Sequence, residues 1–118
     1  MKNILKIKGT DDTPFIVLTK NSLNIQGRSI NTDKKFFENI LEKIDNVDKT
    51  SEFILSIELD YISTLTSHYL LKIIRKVEKL NSPKIKWFYE EGDDFIYEDG
   101  IDLQDSIGIK FEFIENSL

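Results

Sequence analysis

Cysteine is absent from this 118-residue chain, and histidine, tryptophan and methionine each occur once. Without cysteine there is no disulfide framework, no thiolate metal site and no thiol nucleophile. One histidine, His68, is too few for a His-rich metal centre, and no plausible Ser/His triad can be built around it. Two prolines and five glycines give no flexible linker, low-complexity tract or glycine-rich phosphate loop. No apolar run approaches the length of a membrane span, and the opening MKNILKIKG is too short in apolar residues for a signal peptide. Basic charge is also short. With 16 Lys and Arg against 21 Asp and Glu, the net charge is −5, which argues against nucleic acid as a main partner. These absences point to a cytoplasmic protein that binds no metal or cofactor. A chain of this length, 40% hydrophobic and 31% charged, fits one globular domain over residues 1–118.

What is present is a clear change of hydrophobic period. In FILSIELDYI, Phe53, Leu55, Ile57, Leu59 and Tyr61 alternate with Ser56, Glu58 and Asp60, the pattern of a half-buried strand. Leu70, Ile73, Ile74, Val77 and Leu80 then recur at helical spacing, which predicts a helix over 64–81 that ends before Pro83. Upstream, Phe36, Phe37, Ile40, Leu41, Ile44 and Val47 share one face of a helix predicted over 31–47, with Asn31 or Thr32 as its cap. Strands are predicted at 15–18, 23–27, 85–90 and 110–115, residues 4–8 read as a short edge strand or an ordered tail, and a short helix falls in the acidic stretch between the last two strands. Strand–helix–strand units with short loops give a mixed α/β sheet of four to six strands. Its two main helices are expected on one face.

Four hydroxyls, Ser63, Thr64, Thr66 and Ser67, cluster where the second helix begins. Its unpaired backbone N–H groups and dipole suit an oxygen acceptor, so the cluster serves either as a plain cap or as a place for a covalently attached phosphate. Along the same helix, His68, Lys72, Arg75 and Lys79 form a basic stripe, a solvated face or a partner surface. From Glu90 to Asp105 there are eight carboxylates and no Lys or Arg. Removing them from the 21 acids leaves 13 against 16 bases. Their spacing does not match a calcium loop, which leaves a solvated segment or a docking surface for a basic partner. Arg28, after Gly27, is expected to anchor a carboxylate of that segment or to meet a partner.

Three blocks in order carry a family resemblance. TPFIVLTKNSLNIQGRSI (13–30) resembles the family pattern TPxxxFDxxxxxLxIxGRSxPE, with Gly27, Arg28 and Ser29 as its GRS element. Tyr61 to His68 aligns with YFNTSSxK, and WFYEEGDDFIYEDG (87–100) with WYYEEDDEDMLEAG. These blocks resemble the SiaC-type regulatory phosphoproteins. The resemblance implies a STAS-like fold, control by a dedicated protein kinase and a PPM-type phosphatase, and an unphosphorylated form that activates a diguanylate cyclase. The family's acceptor threonine falls on Thr64. The surrounding positions differ: Ser63 replaces Asn, Leu65 and Thr66 replace the two serines, and His68 replaces Lys. Thr66 and Ser67 are therefore rival acceptors. The expected partner surface comprises Arg28, Tyr61, Ser63, Leu65, His68, Glu90, Glu91, Asp93 and Asp94. Two other readings stand beside this one. A small carboxylate hydrolase would use Glu58 and Asp60 with Glu90 and Glu91, and a purely structural subunit would use none of these residues.

Overall fold

Alternation of apolar and polar residues dictates a sheet with one dry face, and the computed structural model, which describes residues 3–117, has one. Its strands are β1 (Leu5–Ile7), β2 (Phe15–Leu18), β3 (Ser22–Ser29), β4 (Phe53–Ile62), β5 (Pro83–Glu90) and β6 (Glu112–Asn116). They lie side by side in chain order. The first three pair antiparallel through short turns, and β3 to β6 run parallel. Each parallel step is bridged by a helix: α1 (Lys34–Ile44), α2 (Thr64–Glu78) and α3 (Asp94–Ile107). Three right-handed crossovers advancing in one direction place all three helices on the same face. There α2 contacts α1 on one side and α3 on the other.

The core lies between these layers. Leu55, Ile57, Leu59 and Trp87 from the sheet are buried with Phe37, Ile40, Leu70, Ile73, Ile74 and Val77 from the helices, as the periodicities predict, while Phe36 and Leu41 pack partly buried at the margin. Phe37 and Tyr69 stack across the α1–α2 contact with ring centroids 5.0 Å apart. Complete burial of each such side chain contributes about 1.5–3 kcal/mol.

Three local expectations are corrected. The cap of α1 is Asp33, whose carboxylate accepts from Phe36 N at 3.0 Å. Asn31 does not cap it, and Thr32 is drawn inward by a hydrogen bond from Ser29. The helix in the acidic stretch is not short: α3 has 14 residues against 11 in α1. Its apolar positions Ile96, Gly100 and Leu103 repeat at helical spacing, a pattern masked in the sequence by the carboxylates between them. Arg28 reaches Asp60 of β4, not the acidic segment.

One irregularity shapes the end of β4 that leads into α2. The β3–β4 register shifts between Gly27 and Arg28, so that Gly27 faces Leu59 while Arg28 faces Tyr61. Asp60 is the extra residue. Gly27 sits at φ +117°, a backbone conformation that residues with a Cβ rarely adopt. Consequently Asp60 and Tyr61 are both exposed, and the alternation of β4 breaks just before α2 begins.

Candidate functional site

The site grows out of this bulge. Ser63 follows β4 in extended conformation and caps α2, its hydroxyl accepting from Thr66 N at 3.2 Å. A serine can do this because its oxygen reaches the amide three residues on. Thr64 is therefore the first helical residue, exposed, and not the cap.

The four hydroxyls divide sharply. Ser29 Oγ donates to Thr32 Oγ1 at 2.8 Å, and Ser29 Oγ and Thr66 Oγ1 lie 2.6 Å apart. Because Ser29 has one hydroxyl proton and gives it to Thr32, Thr66 must donate to Ser29. Ser63 Oγ, 2.9 Å from Thr66 Oγ1, then donates to Thr66. The result is a proton-ordered chain Ser63–Thr66–Ser29–Thr32, continued weakly to the Asp12 carbonyl at 3.5 Å. Ser29 is 0% exposed and Thr66 1% exposed. Thr64 stands outside this chain and is exposed, and Ser67 is half-buried beside it. The chain also ties the first sequence block to the second, since Ser29 of GRS holds Thr66. Arg28 Nε pairs with Asp60 Oδ1 at 3.2 Å, with both side chains about half exposed.

The third block completes the site. Asp93 caps α3 by accepting from Ile96 N at 3.1 Å, and Trp87 Nε1 donates to Ile96 O at 2.9 Å, fixing α3 to the sheet. Two hollows open between α3 and the β4–α2 junction. One is lined by Thr64, Ser67 and His68 of α2 and by Asp99 and Asp102 of α3. The other, of about 440 Å³, is lined by Asp60, Tyr61, Ile62, Asp93, Phe95 and Asp99. Asp99 belongs to both. Burial, followed by the nearby charges of Asp102, Asp93 and Glu98, raises its carboxyl above the usual aspartate value.

The residues expected to contact a partner are thus partly gathered. Tyr61, Leu65, His68, Asp93 and Asp94 are at this end of the molecule, with Tyr61 46% and Leu65 42% exposed. Glu90 lies at the end of β5 and lines an adjoining depression of about 150 Å³ with Glu58, Asp60 and Asp93, and Glu91 is exposed in the turn that follows. The basic stripe of α2 is exposed, with Lys72 Nζ 5.2 Å from the Tyr69 ring centre. Among the described residues, no three His, Asp or Glu side chains are arranged to hold a metal ion, and no helix is long and apolar enough to cross a membrane.

Sequence reasoning missed Phe95, 84% exposed, and Asp99. Phe95 lies about 100° round the helix from the buried Ile96 stripe, so reading the acidic stretch as a full helix turns Phe95 outward.

A three-helix layer on a mixed six-stranded sheet, with Thr64 exposed at the start of its central helix, defines a small α/β protein. A family model described as SiaC family regulatory phosphoprotein matches residues 7–116, and the chain belongs to that family. Solved structures share the fold. Apo-SiaC from Pseudomonas aeruginosa superposes with a TM-score of 0.84 at 20% identity, covering 97% of this chain and 99% of that one. SiaC in the crystal structure of the diguanylate cyclase SiaD with its activator SiaC, also from Pseudomonas aeruginosa, gives 0.80 at 18% identity, covering 95% and 99%. No curated protein sequence matches.

Proposed function

We propose that this chain is a non-catalytic, cytoplasmic, single-domain binding protein switched by phosphorylation of Thr64. In this reading a protein kinase adds the phosphate and a PPM-type phosphatase removes it. The unmodified form binds a signalling effector, of which a diguanylate cyclase is the first candidate. The observation that carries the reading is the sorting of the hydroxyls: Ser63 and Thr66 are committed to the internal chain, whereas Thr64 is exposed at the first position of α2. Family membership supports it, as does the activator role of SiaC in the SiaD complex.

The geometry supplies a mechanism. A phosphate carries about −1.5 to −2 charges at pH 7. At the start of α2 it meets a favourable dipole end, contributing about 0.3–1 kcal/mol, so the helix tolerates it. Across the hollow it meets Asp99 and Asp102, which repel it. The modification therefore leaves the fold intact and alters the surface between α2 and α3, where Tyr61, Phe95, Asp93 and Asp94 are presented. Glu90 and Glu91 extend that acidic surface, and its negative charge disfavours nucleic acid.

The test is reconstitution with the host's own kinase and cyclase. Binding of the cyclase should be retained by Thr64→Ala in the presence of kinase and ATP, and lost by the wild-type chain under the same conditions. Equal loss in both would reject Thr64 as the switch.

A further inference from the structure

Phe95 is the least buried large apolar side chain among the described residues, and no aromatic ring packs on it, whereas neighbouring Tyr97 rests against Tyr89 and Phe113. It projects from the first turn of α3 beside Tyr61, at the mouth of the 440 Å³ hollow. An aromatic so exposed adds nothing to the core. Solvent-facing aromatic pairs rimmed by charge are characteristic of protein docking sites.

The charge around the pair has one sign in excess. Asp60, Asp93 and Asp99 line the hollow. Arg28 lies 3.2 Å from Asp60 and offsets part of that charge, while no cation is paired with Asp93 or Asp99 among the described residues. Asp93 uses Oδ1 to cap α3 and keeps its second oxygen for another donor. Asp99 is crowded by Asp102, Asp93 and Glu98, and an incoming cation relieves that repulsion.

We propose that this hollow takes a basic segment of a partner protein, which seats an apolar side chain between Tyr61 and Phe95 and places a Lys or Arg against Asp93 and Asp99. The inference rests on the binding role argued above and specifies the chemistry its partner must present. It also explains how modification at Thr64 reaches the docking surface. Asp99 is the wall common to both hollows, so a phosphate on Thr64 stands on its far side, competes with it for the partner's cation and draws the segment away from Tyr61 and Phe95.

The experiment uses the isotope-labelled full chain and a short amphipathic Leu/Lys peptide, followed by amide chemical shifts. A peptide with every Leu replaced by Gln serves as a charge-matched control. The expected shifts cluster at Asp60–Ile62 and Asp93–Asp99, and Phe95→Ala weakens the Leu/Lys peptide about tenfold or more, as loss of a central aromatic anchor does. Asp99→Asn, which removes a carboxylate that receives the cation and leaves the Arg28–Asp60 pair in place, also weakens it. Because these side chains are exposed or half-exposed, the variants should keep the fold, which the undisturbed remainder of the spectrum reports. Wild-type affinity in Phe95→Ala, equal binding of the Gln control, or shifts centred elsewhere would each overturn the proposal. Peptide binding at this hollow without cyclase binding would reject the effector assignment and leave the docking chemistry standing. Cyclase binding indifferent to Phe95→Ala would do the reverse.

Discussion

The indole of Trp87 lies directly against Gly100: a Cβ built on Gly100 would stand 2.6 Å from Trp87 Nε1. These two residues open and close the acidic sequence block, so the block's ends meet in space. The contact lets α3 approach β5 closely enough for Trp87 Nε1 to donate to Ile96 O. Gly100→Ala must displace the buried ring and is expected to cost about 1–3 kcal/mol, as overpacking generally does. Chemical denaturation checks this, and an unchanged midpoint would contradict the packing.

Ser29 and Thr66 give a second prediction. Thr66→Val keeps the shape but removes the link that orders the buried hydroxyl chain, leaving Ser29 and Ser63 each short of a partner. A loss of about 1–3 kcal/mol follows from an unsatisfied buried polar group. A stability equal to wild type would show that the hydroxyls do not depend on one another.

Capping separates Ser63 from Thr64. Ser63→Ala removes the acceptor for Thr66 N and should cost about 0.5–2 kcal/mol. Thr64→Ala should change stability by no more than about 0.5 kcal/mol, as for an exposed site away from caps and core. Thermal unfolding of the two variants side by side distinguishes the roles, and a larger loss at Thr64 would reverse them.

Asp99 has a signature in pH. Its carboxyl is raised in the folded protein, chiefly by burial and then by Asp102. The folded state thus holds this proton more tightly than the unfolded chain, and the group's contribution to stability falls as pH rises from the ordinary value of 3.8 through the raised one. At pH 7 the ionised group is a cost that Asp99→Asn removes. The variant should therefore be at least as stable as wild type at neutral pH, and its advantage should disappear below that ordinary value. A variant less stable at pH 7 would mean that the carboxylate has a favourable partner.

Much of the fold was legible because the period of β4 and α2 is written in apolar side chains that tolerate no alternative face. Phe53 to Leu59 and Leu70 to Val77 are buried where the pattern puts them. The length of α3 was obscured because carboxylates flank its sparse apolar stripe, and a glycine at its buried centre reads as a break until Trp87 is placed against it. Asp60 as the ion partner of Arg28 follows from a bulge one residue long, which no local pattern announces. At the helix start, composition grouped four hydroxyls without ranking them. The family resemblance singled out Thr64, but which hydroxyls are tied inward depends on Ser29, 37 positions away from Thr66 in the chain, whose hydroxyl reaches it only after the sheet has formed.

The central claim is that Thr64 alone among these hydroxyls is the regulated acceptor. Phosphopeptide mapping after treatment with the host's own kinase, paired with intact mass, tests it most directly. The account predicts a single phosphate on Thr64, with circular dichroism unchanged by its addition. A phosphate on Thr66 or Ser67, or none between Ser63 and Ser67, would contradict it.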